Sequence, residues 1–280
     1  MRNKVNIKGD NNQVLLNNKL YISTNPRIEF IEKNIETKNV FAKKMLSVFD
    51  SINKYIFSDE LINIEKLSAL LGFDSTNYLM KFFNTEKEPP FELMELIAEK
   101  LGLSENWLKY SQGNPFDYKT IYAFYYMDII SFLKENKDLD IIFLVSDEVD
   151  SRVLIYVRYS LYKYQRFRII YPIHPNVGAT GQSQIFDFYK LCKELVNSDF
   201  YTRINAYKLR VEIFDAILLG KYFPGCYFKE KERITYFWED LLDFNYKYFN
   251  KDKYEELYTK KFTDVQNIIL NRLEREKENG

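Results

Sequence analysis

His174 is the only histidine in the chain, and it stands in the run Tyr171-Pro172-Ile173-His174-Pro175-Asn176-Val177-Gly178-Ala179-Thr180-Gly181. A lone imidazole could act as a general base. No Ser-His-Asp or Cys-His spacing accompanies it, and one histidine excludes the usual His-rich metal sites. It reads as a structural loop residue between prolines. Gly178 and Gly181 lead into a helix, whose N-terminal N–H groups favour anions. No Lys-Ser/Thr pair follows at the P-loop position, and a tight turn explains the glycines better than a phosphate cradle. Asp147, Glu148 and Asp150 could hold magnesium, although a solvated hairpin turn explains them equally well. No Asp…Glu-x-Lys arrangement of the nuclease kind lies on adjacent segments. Cys192 and Cys226 fit neither a disulfide framework nor a zinc site, which suits a reducing cytoplasm. No metal, cofactor or catalytic group is expected.

The elements that position these residues fall into three regions. Residues 1–37 form an N-terminal arm, with apolar residues alternating around Gly9-Asp10-Asn11-Asn12 from Val5 to Leu16, as in a β-hairpin. A two-stranded hairpin is marginal alone, so it packs on its own domain or exchanges strands with a second copy. Residues 38–116 carry helical periodicity. Residues 117–280 read as an α+β domain with an antiparallel sheet, for assembly or effector sensing. Its helix from Tyr118 to about Lys134 precedes extended runs at Asp140–Ser146, Arg152–Arg158 and Arg166–Tyr171. Helices follow at about 182–196, 234–249 and 254–277, the last with Phe262, Val265, Ile268, Ile269 and Leu273 at helical spacing. No run approaches the roughly 18 apolar residues of a membrane span, and no apolar leader opens the chain, so a soluble protein without membrane partners is expected.

The middle region is the most informative. Leu67, Leu70 and Leu71 make one apolar stripe, Ser68 is small where a neighbour would cross, and Gly72 supplies the positive φ that ends a helix. Phe73 plugs the turn, and Asp74 or Ser75 caps a second helix at about 74–84. In that helix Tyr78, Leu79, Phe82 and Phe83 are expected inward, leaving Ser75, Thr76, Asn77, Met80 and Lys81 outward. Pro89-Pro90 then starts a helix with Phe91, Leu93, Met94, Leu96, Ile97 and Leu101. Leu101-Gly102-Leu103-Ser104, Trp107-Leu108 and Gly113-Asn114-Pro115-Phe116 close the region, with Trp107 expected to be buried. In this order and spacing, residues 40–116 resemble the lambda-repressor-like (Xre-type) helix-turn-helix family. Gly72-Phe73 followed by Asn77-Tyr78-Leu79 is also similar to the second helix-turn-helix of arabinose-regulator-type activators. Where the Xre family often has glycine after the recognition helix, this chain has Asn84-Thr85.

The resemblance implies a DNA-binding transcription regulator, homodimeric on double-stranded DNA, with Lys43 and Lys44 clamping the backbone while Ser75, Thr76, Asn77, Met80 and Lys81 meet bases. Charge argues the other way. Residues 62–116 hold five lysines against eight carboxylates, net −3, whereas residues 1–61 carry ten basic against seven acidic groups, net +3. The whole chain balances 40 basic with 40 acidic residues, so no global field draws it to nucleic acid. A docking scaffold that never touches DNA, and a defence-type or regulatory effector with an unfamiliar C-terminal activity, stay open beside the regulator.

Overall fold

The computed structural model describes residues 13–16, 19–24, 27–31, 39–227, 235–258 and 260–278, the strands before residue 32 and Lys260 by their backbone alone. By contacts the chain divides into two units, residues 1–93 and 94–280. The division lies after Leu93, whereas the sequence pattern put its boundary after Phe116.

In the first unit, β1 (Gln13–Leu16), β2 (Lys19–Thr24) and β3 (Arg27–Ile31) form an antiparallel meander, with Val14 opposite Tyr21 and Tyr21 opposite Phe30. The expected Gly-Asp-Asn-Asn turn and the strand before it lie outside the described residues. Three helices follow: α1 (Val40–Asn53), α2 (Ile64–Leu70) and α3 (Asn77–Asn84). On α1, Phe41, Met45, Val48, Phe49 and Ile52 recur at helical spacing and are buried, so one stripe drives the packing. Phe83 of α3 fits against it, with its ring 5.6 Å from Phe41 and 6.2 Å from Phe49. Asn53 holds the long α1–α2 connection, accepting from the Ile62 N–H at 2.7 Å and donating to the Ile62 carbonyl at 2.9 Å.

Helix α4 (Phe91–Leu101) crosses the division. Gly102, at φ +63°, ends it, and Ser104 caps α5 (Glu105–Tyr110) by accepting from the Trp107 N–H. Trp107 is half-buried, not fully enclosed as expected. The closing segment belongs to the second unit by its hydrogen bonds. Phe116 N–H donates to the Gly220 carbonyl at 2.9 Å, the Asn114 amide donates to Leu219, and Glu99 takes both Lys163 and Tyr118.

The second unit is built on β4 (Asp140–Asp147), β5 (Arg152–Arg158), β6 (Tyr164–Pro172) and β7 (Ile204–Arg210), in the order β6-β5-β4-β7. The expected antiparallel meander is present in β4–β6. The sheet as a whole is mixed, because β7 joins β4 in parallel with Val145 opposite Lys208. Six consecutive residues of β4 are buried, as in a strand covered on both faces. One face carries Ile141, Phe143, Val153, Ile155 and Phe167 into a core shared with α6 (Tyr126–Glu135), α7 (Ala179–Val196), α9 (Phe237–Asp240) and α11 (Lys260–Glu278). The other is closed by α8 (Val211–Leu218) and by aromatic packing such as Tyr207 against Tyr227, ring centres 4.4 Å apart.

Three expected helices are corrected. Residues 117–125 are not helical: the Ile121 N–H and carbonyl are taken by Arg166 and Arg168 at the edge of β6, and α6 starts only where Asp128 accepts from the Phe124 and Tyr125 N–H groups. Among the described residues the segment expected at 234–249 holds only the short α9, because Asp243 accepts from the Lys247 and Tyr248 N–H groups and turns the chain. The last helix is two, α10 (Lys251–Tyr258) and α11. The stripe of α11 is spent at home, with Phe262, Val265 and Ile269 buried in the unit's own core. Among the described residues no helix is long and apolar enough to cross a membrane.

Candidate functional site

Helix α2 begins at Asn63, whose side chain accepts from the Lys66 N–H at 2.7 Å. It ends at Gly72, φ +75°, where the Phe73 N–H reaches the Ser68 carbonyl and the Gly72 N–H that of Ala69, both at 3.0 Å. This pairing satisfies the last carbonyls of the helix and turns the chain sharply. Ser75 accepts from the Asn77 N–H at 3.2 Å, and α3 starts at Asn77, so Ser75 and Thr76 lie in the turn and not on the helix. Leu79, Phe82 and Phe83, at i, i+3 and i+4, are buried.

Ser75, Asn77 and Lys81 are exposed on the opposite side, while Thr76 and Met80 are half-buried. Tyr78 was expected inward and is instead 42 % exposed. Phe73 packs edge-on to it at 5.2 Å. The Lys81 ammonium lies 3.9 Å from the Tyr78 ring centre, a cation–π contact that parks the charge on the outer face. On α1, Lys43 is exposed. Lys44 is half-buried, and its pKa falls because burial disfavours the charged form, with the Glu88 carboxylate pulling the other way.

Two residues that spacing alone did not single out hold this arrangement. Asn39 is buried ahead of α1. Its carboxamide oxygen accepts from the Ala42 N–H at 3.2 Å, and its NH2 lies 2.8, 3.2 and 2.8 Å from the carbonyls of Phe82, Thr85 and Lys87. It therefore caps the start of α1 and ties down the end of α3. Glu88 accepts from the Phe41 N–H at 3.5 Å, placing negative charge at the α1 N-terminus.

The chemical candidates in the second unit are occupied. Asp147 pairs with Lys208 at 2.9 Å, Glu148 with Arg152 at 2.8 Å and Asp150 with Lys261 at 2.6 Å. Each carboxylate thus has its own cation, and no cluster of three or more metal-ligating residues exists among the described residues. The His174 Nδ1 lies 3.5 Å from Asp150, an ion-pair distance without hydrogen-bond geometry. Gly181 has a steric reason, since a Cβ there would come within 2.4 Å of the Val177 side chain. Cys192 and Cys226 are both buried and not joined in a disulfide, and burial pushes the Cys192 thiol up, away from reactivity.

A cleft that no sequence signal marks opens at the carboxyl ends of the parallel pair β4 and β7. It measures about 400 Å³ and is walled by Tyr236, Phe249, Leu257 and Tyr258, with Asp240 beneath and the Lys208–Asp147 pair at the rim. Asp240 is buried and accepts from the Tyr258 hydroxyl at 2.6 Å. Burial raises its pKa, the neighbouring Asp243 adds to the rise, and the Tyr258 and Tyr254 hydroxyls oppose it. A carboxyl held above its unfolded value of about 3.9 contributes stability at low pH that is lost as pH rises through the raised value. Asp240→Asn, which cannot ionise, should therefore gain on the wild type as pH rises. The melting-temperature difference, variant minus wild type, should be more positive at pH 7 than at pH 4; a difference that stays flat or falls contradicts the assignment.

Comparison of the chain with protein-family models, with curated proteins and with solved structures finds no match.

Proposed function

We propose that the chain is a DNA-binding transcription regulator that acts as a homodimer and reads double-stranded DNA with α3 and the turn before it. The observation that carries this reading is the division of α3. Its inner side is closed by Leu79, Phe82 and Phe83, and Ser75, Asn77 and Lys81 stand outward behind the sharp Gly72 turn. Small polar side chains and a lysine on an exposed helix start are what base edges and phosphates require. The resemblance of residues 40–116 to Xre-type readers points the same way. Lys81 must leave the Tyr78 ring to reach a phosphate, at a cost of about 0.5–1 kcal/mol for an exposed pair.

Electrophoretic shift against genomic fragments over a salt series tests the proposal. Binding that weakens steeply with salt is expected, since released counterions supply most non-specific affinity. On an identified site, Asn77→Ala with Lys81→Ala should weaken binding by roughly tenfold or more, from base contacts worth about 1–3 kcal/mol each. Unchanged affinity of the double variant would remove α3 as the reader.

Protein docking by the same face is the second reading, favoured by the charge. Residues 39–93 hold six lysines against eight carboxylates, and Tyr78 offers an exposed ring. No shift on any fragment at low salt selects it. The homodimer is tested by light scattering on the full chain. One short reader makes few base contacts, and two-fold pairing of half-sites supplies the missing specificity. A dimer is expected at tens of micromolar, through surfaces other than the stripe of α11; a monomer there defeats this part of the proposal.

A further inference from the structure

The cleft beside β4 and β7 has the composition of a receptor for one kind of small molecule. Its walls are rings and an aliphatic side chain that remain open to solvent, Tyr236 at 61 %, Phe249 at 44 % and Leu257 at 40 % exposure. These groups come from the α9 and α10 region and line one concavity, where apolar walls with few polar groups are the usual makeup of a ligand site. Beneath them Asp240, only 8 % exposed, receives the hydroxyl of Tyr258, and among the described residues it forms no ion pair. A buried carboxylate without a cation is costly, and a ligand that brings the cation removes the cost. Among the described residues the one cation lining the cleft, Lys208, is already paired with Asp147 at 2.9 Å, so these residues offer an anion little.

We propose that this cleft binds an organic cation, an amine or quaternary ammonium on an apolar body, with its charge against Asp240 and its body between Tyr236, Phe249 and Tyr258. Aromatic faces attract such cations through their quadrupole, and the attraction strengthens as the charge leaves water. A metal ion suits the cleft poorly, because hard cations need several oxygen ligands and the two carboxylates here are already engaged, Asp147 by Lys208 and Asp240 by the Tyr258 hydroxyl. The proposal stands apart from the DNA-reading face, and its test contains no DNA.

Isothermal titration of the full-length protein with benzylamine, benzyltrimethylammonium, benzyl alcohol and benzoate separates charge from shape. Both cations should bind at least tenfold more tightly than benzyl alcohol, and benzoate should be the weakest. Phe249→Ala and Tyr236→Ala alter exposed rings and leave the fold intact, so each should weaken benzylamine at least fivefold with unchanged melting. Asp240→Asn should bring benzylamine and benzyl alcohol to similar affinity. Benzoate binding as tightly as benzylamine, no loss in either ring variant, or no binding by either cation at millimolar concentration overturns the proposal.

Discussion

Phe143→Ala should destabilise the second unit by about 3–5 kcal/mol, the range for deleting a large buried aromatic. Phe143 is fully buried at the middle of β4, and its ring lies 5.9 Å from Phe188, 6.5 Å from Phe237 and 5.8 Å from Trp238. Three elements, β4, α7 and α9, meet at this ring, so none can close the void without drawing away from the other two. The expected loss therefore stands near the top of the range. Urea denaturation followed by tryptophan fluorescence reads it directly, because both tryptophans, Trp107 and Trp238, belong to this unit. Phe143→Leu keeps most of the volume and should cost less than half as much. A loss under about 1 kcal/mol for the alanine variant would mean that the cluster collapses freely, against the close packing expected of an interior.

Asn39→Ala should cost about 2–4 kcal/mol, most of it in the first unit, from two contributions. Loss of an N-cap contributes about 0.5–2 kcal/mol. Carbonyls left unsatisfied away from water add about 1–3 kcal/mol. The Phe82 carbonyl bond is fully buried, and those to Thr85 and Lys87 are partly so. Asn39→Asp separates the two contributions. Aspartate keeps the cap acceptor for the Ala42 N–H but sets a carboxylate against three carbonyl oxygens, so it should be at least as damaging as alanine. Far-ultraviolet circular dichroism during denaturation follows α1–α3. If the Asn39→Asp variant proves as stable as wild type, the cap alone matters and the tie to the end of α3 does not. Because α3 carries Asn77 and Lys81, these variants should also weaken any binding that depends on its placement.

Features that local signals govern were legible along the chain. The apolar stripes of α1 and α4, the glycine stops at Gly72 and Gly102, the Ser104 cap and the three β-rich runs of β4–β6 all follow from spacing and from backbone preferences within a few residues. Leu79, Phe82 and Phe83 were legible as the inner face of α3 for the same reason. Packing set the rest, wherever a residue's fate depends on a distant partner. The run Ile204–Arg210 has only weak alternation, and it is a strand because β4 offers it a parallel edge. Residues 117–125 carry helix-compatible residues, yet Ile121 in their middle gives its N–H and carbonyl to β6. The stripe of α11 could have served a second copy, and it is buried because its own sheet needed covering. Tyr78 and Trp107 are more exposed than their type suggests. Asn39 and the cleft around Asp240 each gather groups that lie far apart along the chain, and no periodicity within a helix or strand encodes such meetings. Local sequence sets which elements form, whereas the competition of those elements for the same buried volume and the same hydrogen-bonding edges sets where side chains meet.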